Sequence, residues 1–135
     1  MRTRLRHLRA DDRDYTWRAT IGSVRGDGAE LHRCVRVRVW GAGKNGRALE
    51  ADLLSKATSA GWTPAATDGS YPASGDVRRL VEHARALGWD PGACGGTFRL
   101  TEETGPELPG FLITDRVRDP GAPDPTERVI RASEA

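Results

Sequence analysis

His32-Arg33-Cys34-Val35-Arg36-Val37-Arg38-Val39-Trp40 alternates with a period of two, the signature of a strand with one face in a core and the other turned outward. Val35, Val37 and Val39 mark the buried side, while Cys34, Arg36, Arg38 and Trp40 mark the other. The segment therefore predicts a sheet whose outer face is basic.

Its neighbours extend the pattern. Upstream, Tyr15, Trp17, Ala19 and Ile21 alternate with Thr16, Arg18 and Thr20 before Arg25-Gly26-Asp27-Gly28. A loop of Gly26, Asp27 and Gly28, with Gly28 left-handed, sets Trp17 opposite Val37 and Ala19 opposite Val35. Downstream, Gly-Ala-Gly-Lys-Asn-Gly ends at Gly46. With Lys44, Asn45 and Gly46 as the loop, Val37 faces Leu53, Val39 faces Ala51, Arg38 meets Asp52 and Trp40 meets Glu50. A two-residue Asn-Gly turn would instead oppose apolar and charged side chains. Residues 47–60 keep two readings open. Register argues for a strand, whereas Ala, Leu, Glu and Lys, with no β-branched residue before Thr58, argue for a helix.

Residues 63–74 read as a surface connection rich in Ala, Thr, Gly, Ser and Pro. From Asp76 the period becomes helical, with Val77, Leu80, Val81, Ala84 and Leu87 on one stripe. Ser74 or Asp76 can cap the start, and Gly88-Trp89 makes a Schellman-type stop. Thr97–Thr101 and Phe111–Asp115 are short strand candidates expected to close the fold as a pair. The expected class is α+β: a mainly antiparallel meander, one packed helix and that strand pair. It occupies residues 1–118 as a single domain, and residues 119–135 are expected to form a flexible Pro-rich tail.

At 135 residues the chain suits one core. Hydrophobic content of 37%, aromatic content of 6% and a mean hydropathy of -0.58 lie on the polar side of globular, so the core is expected to be thin and the connections long. Residues 1–40 carry ten Arg against five acidic residues, while residues 41–135 carry eleven basic and fourteen acidic ones. That asymmetry points to a polyanionic partner for the first part. The basic residues are nineteen Arg and two Lys, a bias that a GC-rich coding genome explains. Two cysteines, Cys34 and Cys94, are too few for a disulfide-stapled module. The N-terminus lacks an apolar signal segment, and no run of about 18 apolar residues would span a membrane. A reducing cytoplasm is the expected compartment.

The basic strand with Trp40, the Gly-Ala-Gly-Lys-Asn-Gly run and the segment Gly-Gly-Thr-Phe-Arg-Leu ending at Leu100 together resemble short uncharacterised proteins of high-GC actinobacteria. The resemblance covers most of the chain. It implies a bacterial cytoplasmic origin and no particular chemistry.

Candidate chemistry is sparse. Gly43-Lys44 follows a strand, as in a phosphate-binding P-loop, but Arg38 stands where the first Gly belongs and Asn45 replaces the hydroxyl residue. His32 and Cys34 share a strand face with Arg36, which would favour a thiolate and a small Cys-dependent enzyme. Cys94 follows a helix C-terminus, whose dipole opposes a thiolate. His7, His32, Cys34, His83 and Cys94 show no structural-zinc spacing, so neither a metal nor a cofactor is expected. Glu50 and Asp52 read as a surface ion-pair ladder.

What remains is the basic face. Arg18, Arg36 and Arg38 share it, Arg4 and Arg6 join if residues 3–9 add a strand, Trp40 offers a stacking plane, and Lys44 lies just beyond the strand. This mixture suits nucleic acid or another anionic surface. The expected function is a small non-catalytic binding module. The alternative is a protein-interaction or accessory subunit anchored by Trp40, Trp62 and Trp89.

Overall fold

The computed structural model describes residues 5–28, 30–41, 46–56 and 70–134. Arg4, Lys44 and Trp62, together with most of the expected surface connection, lie outside them.

The alternating segments form the sheet. Strands β1 (Arg6–Ala10), β2 (Arg13–Arg25), β3 (Leu31–Trp40) and β4 (Ala48–Ser55) follow one another as an antiparallel meander. The β1–β2 hairpin turns on Asp11 and Asp12, whose φ values of 53° and 59° fit a two-residue type I′ turn. Helix α1 (Ser74–Ala86) then packs on the inner face, where Val77, Leu80, Val81 and Ala84 meet the core. Val35, Val37, Val39, Leu49, Ala51 and Leu53 are almost fully buried beneath it. The α+β class expected from the sequence is the observed one.

Both hairpin registers differ from expectation by two residues. Trp17 pairs with Val39 and Ala19 with Val37, because Gly26 N–H donates to the Glu30 carbonyl at 2.8 Å and so moves the hairpin's closure outward. Across β3 and β4, Val37 pairs with Ala51, Arg36 with Asp52 and Arg38 with Glu50. A slip of two preserves every side chain's face. It also puts an arginine opposite each carboxylate, whereas the expected register opposed Trp40 to Glu50.

Residues 48–55 resolve as strand despite their helical composition, since all eight are buried between neighbours on both edges and pairing overrides propensity. The two short closing strands do not pair with each other. β5 (Thr97–Arg99) runs parallel to the first half of β4, and β6 (Phe111–Ile113) runs antiparallel to the second half. Leu100 N–H donates to the Glu50 carbonyl and Thr114 N–H to that of Asp52, each at 3.0 Å. Both strands thus satisfy the β4 edge that β3 leaves open.

A second correction concerns the C-terminus. Residues expected to form an irregular tail contain helix α2 (Pro125–Glu134). Asp124 Oδ1 accepts from Thr126 N–H at 3.1 Å, and Pro125 takes the first helical position, where its missing N–H costs nothing. Val129 buries itself on the outer face with Val24, Cys34 and Leu54.

Helix α1 ends as its sequence predicts. Trp89 N–H reaches the Ala84 carbonyl at 2.9 Å, Gly88 N–H reaches that of Arg85 at 3.1 Å, and Gly88 has φ of 107°. An added Cβ meets nothing within 4 Å at either Gly88 or the helical Gly75, so only backbone conformation separates the two sites. In urea unfolding, Gly88→Ala is expected to destabilise the protein by about 1 kcal/mol and Gly75→Ala to stabilise it by about 0.5 kcal/mol. Shifts of the same sign would contradict this account of the helix ends.

Candidate anion-binding site

The outer sheet face is built on two carboxylates in β4. Glu50 and Asp52 are 2% and 1% exposed, so they are not the solvated surface ladder expected from sequence. Ions this buried require charge partners and hydrogen bonds, and arginines from three directions supply them.

From β3, Arg36 donates to both Asp52 oxygens at 2.7 and 3.0 Å, and Arg38 donates to Glu50 Oε2 at 2.6 Å. From β5, Arg99 bridges the pair, donating to Glu50 Oε1 and, at 3.2 Å, to Asp52 Oδ2. Arg118 comes from the strap between β6 and α2 and donates to Glu50 Oε1. Burial alone would raise the Glu50 pKa. Hydrogen bonds from Arg38 and Arg118, with the charges of Arg118 and Arg36, outweigh it and hold the carboxyl below its ordinary value.

Arg18 sits opposite Arg38 in the sheet and has no carboxylate partner among the described residues. Its guanidinium lies 5.5 Å from the Trp40 ring centroid, and that of Arg38 lies 5.7 Å from it, both within cation–π range. Trp40 is only 8% exposed. It therefore orients two arginines and is not the open stacking plane expected. Arg18, Thr20, Arg36, Arg38, Glu50 and Arg118, with Trp40 behind them, frame an open concavity of about 610 Å³.

The expected site is thus partly assembled. Arg18, Arg36, Arg38 and Trp40 converge, but Arg6 does not join them. In β1 it pairs with Trp17 and projects to the inner side, where its guanidinium stands 5.8 Å from the Trp17 ring and 5.6 Å from that of Tyr71. Arg99 and Arg118 were missed. Arg99 was legible in the Thr97-Phe98-Arg99 alternation, whereas nothing local marks Arg118, which reaches Glu50 across 68 positions.

Cys34, His32, His83 and Trp89 do not line this concavity. Burial and then Asp52 push the Cys34 thiol up to about 12, against the lowering effect of Arg36, so Cys34 supplies no thiolate at neutral pH. His32 Nε2 lies 2.6 Å from the Thr126 hydroxyl. That hydroxyl donates to Glu30 at 3.2 Å, so it accepts from His32, and the ring fastens α2 to β3. His83 donates to the Thr104 carbonyl at 2.7 Å. Among the described residues no three His, Cys, Asp or Glu side chains are placed to share a metal ion. Trp89 is buried, with its indole N–H on the Arg47 carbonyl at 2.9 Å.

The fold defines an α+β protein with an arginine-framed concavity on its sheet. Compared with known families, curated proteins and solved structures, the chain matches none. No helix among the described residues is long and apolar enough to cross a membrane.

The carboxylate–arginine cluster makes a signed prediction. Because Glu50 titrates lower when folded, its contribution is present above its ordinary value of 4.5 and is lost as pH falls through the depressed one. Glu50→Gln is expected to cost about 2 kcal/mol at pH 7 by urea unfolding, since the charge-assisted hydrogen bonds from Arg38, Arg99 and Arg118 to a buried acceptor are weakened, and to flatten the acid loss of stability. A variant as stable as the parent, with an unchanged acid profile, would contradict the role given to Glu50.

Proposed function

We propose that the protein is a small non-catalytic binding module that receives an anionic group in the concavity of its outer sheet face. The observation that carries this reading is the excess of oriented donors. Four lining arginines bring roughly twenty N–H groups between them, and Glu50 and Asp52 occupy only some. The carboxylates and Trp40 fix the guanidinium planes before any ligand arrives, which reduces the ordering cost of binding. Fixed planes suit bidentate contact with phosphate or carboxylate oxygens.

Nucleic acid belongs to this class of ligand, as does another anionic surface. With Arg6 on the opposite side and Trp40 covered, a polymer would be held at a point and not along a stripe. A protein partner is the second reading. It would have to offer acidic side chains to the same concavity, because Trp40 and Trp89 are committed internally. Both readings fit a reducing cytoplasm, in which the exposed Cys94 stays a thiol, and the bacterial origin that the resemblance implies.

Binding of labelled single-stranded and duplex oligonucleotides at about 50 and 200 mM salt tests the proposal. Affinity should fall with salt, with the shallow slope of one or two phosphate contacts, and drop at least tenfold in Arg18→Ala, a residue whose loss leaves the buried carboxylates paired. Absence of binding to oligonucleotides and to inorganic pyrophosphate at low salt, or indifference to Arg18→Ala, would sink it.

A further inference from the structure

The concavity also discriminates among anions, and the inference that follows rests on the anion-binding reading above. Five guanidinium groups, those of Arg18, Arg36, Arg38, Arg99 and Arg118, stand around two carboxylates, a surplus of three positive charges. Arg99 and most of Arg36 are spent on Asp52 and Glu50. Among the described residues Arg18 has no carboxylate partner, and Arg118 is 48% exposed.

Arg18, Arg38 and Arg118 come from three directions: β2, β3 and the strap. Thr20 adds a hydroxyl from the β2 side. A ligand that engages all of them must present oxygens in several directions from one centre. A carboxylate or a phosphodiester has two free oxygens and one charge. A phosphomonoester has three terminal oxygens and a charge of about -1.5 to -2 at neutral pH.

We propose that the concavity recognises a terminal phosphoryl dianion, with Arg18, Arg38 and Arg118 donating to its oxygens and Glu50 holding Arg38 and Arg118 in place. Two sources carry that chemistry: a phosphorylated small molecule, and the terminal phosphate of a nucleic-acid strand. Internal phosphodiesters alone do not satisfy the site. The pH dependence of binding then belongs to the ligand. Arginines stay charged throughout, Glu50 and Asp52 are hydrogen-bonded by the arginines they face, those arginines hold the Glu50 carboxyl below its ordinary value, and no histidine lines the concavity among the described residues.

Calorimetric titration with phenyl phosphate and with diphenyl phosphate tests the assignment on the full chain. The monoester should bind at least tenfold tighter, its affinity should rise between pH 5 and pH 7 as its second proton leaves, with a pKa of about 6, and Arg18→Ala should cut it at least fivefold while circular dichroism shows the fold intact. Equal affinity for monoester and diester, or a flat pH profile, overturns the phosphoryl assignment but leaves the broader reading standing. Failure of every anion to bind at low salt overturns both. A tetranucleotide with and without a 5′-phosphate separates the sources. If the phosphorylated form binds more tightly than phenyl phosphate, the source is a strand end; if the two bind alike, it is a small molecule. Either result supports the assignment, whereas a tetranucleotide indifferent to its 5′-phosphate contradicts it.

Discussion

Two carboxylates buried in β4, an interior strand of the sheet, set the terms for everything on its outer face. Glu50 and Asp52 lie on β4 with β3 on one side and β5 and β6 on the other, and an unpaired ion in such a place would be untenable. Their neutralisation recruits β3 through Arg36 and Arg38, β5 through Arg99, and the strap before α2 through Arg118. Elements far apart in sequence therefore meet at one electrostatic knot. The same knot leaves guanidinium groups half in solvent and locked in orientation, which a hydrophobic pairing of the strands would not do. The pairing of the sheet and the orientation of its arginines thus share a cause.

The other outer end of the sheet is closed by different means. Val24, Cys34, Leu54 and Val129 make a small apolar cluster beneath α2, tied down by the contact of His32 with Thr126. Arg116 in the strap donates to the Ala122 carbonyl at 2.8 Å and pairs with Asp27 at 2.5 Å. One short segment, Arg116-Val117-Arg118, thereby fastens to the helix end of the sheet and reaches into the concavity.

How much of this was legible follows from which forces act locally. Period-two alternation around Val37 and period-3.6 alternation around Leu80 both report burial of one side, so β2, β3, helix α1 and their core-facing sides came through. The Gly88-Trp89 helix stop was readable because its chemistry is contained in a few residues. Register was not, since a slip of two leaves the pattern unchanged and only the opposed charges of Arg36 with Asp52 and Arg38 with Glu50 distinguish the true pairing. Helix α2 was masked by the prolines before it, although Asp124-Pro125 is itself a start signal. Burial of Glu50 was hidden because its cover arrives from Arg99 and Arg118, residues that local pattern cannot bring near it. Arg6 was assigned to the wrong face because β1 enters through a two-residue turn whose register sets Arg6 beside Trp17.

The central claim is that oriented guanidiniums around Glu50 form a receiving site for an anion. The most direct measurement is an NMR titration of the arginine side-chain Nε–Hε resonances with inorganic phosphate at low salt. Saturable shifts confined to Arg18, Arg36, Arg38 and Arg118, with Arg6 and Arg9 unmoved, are the predicted result. Absent shifts, or shifts of equal size spread over all the arginines, would show a cluster that serves the sheet alone and contradict the account.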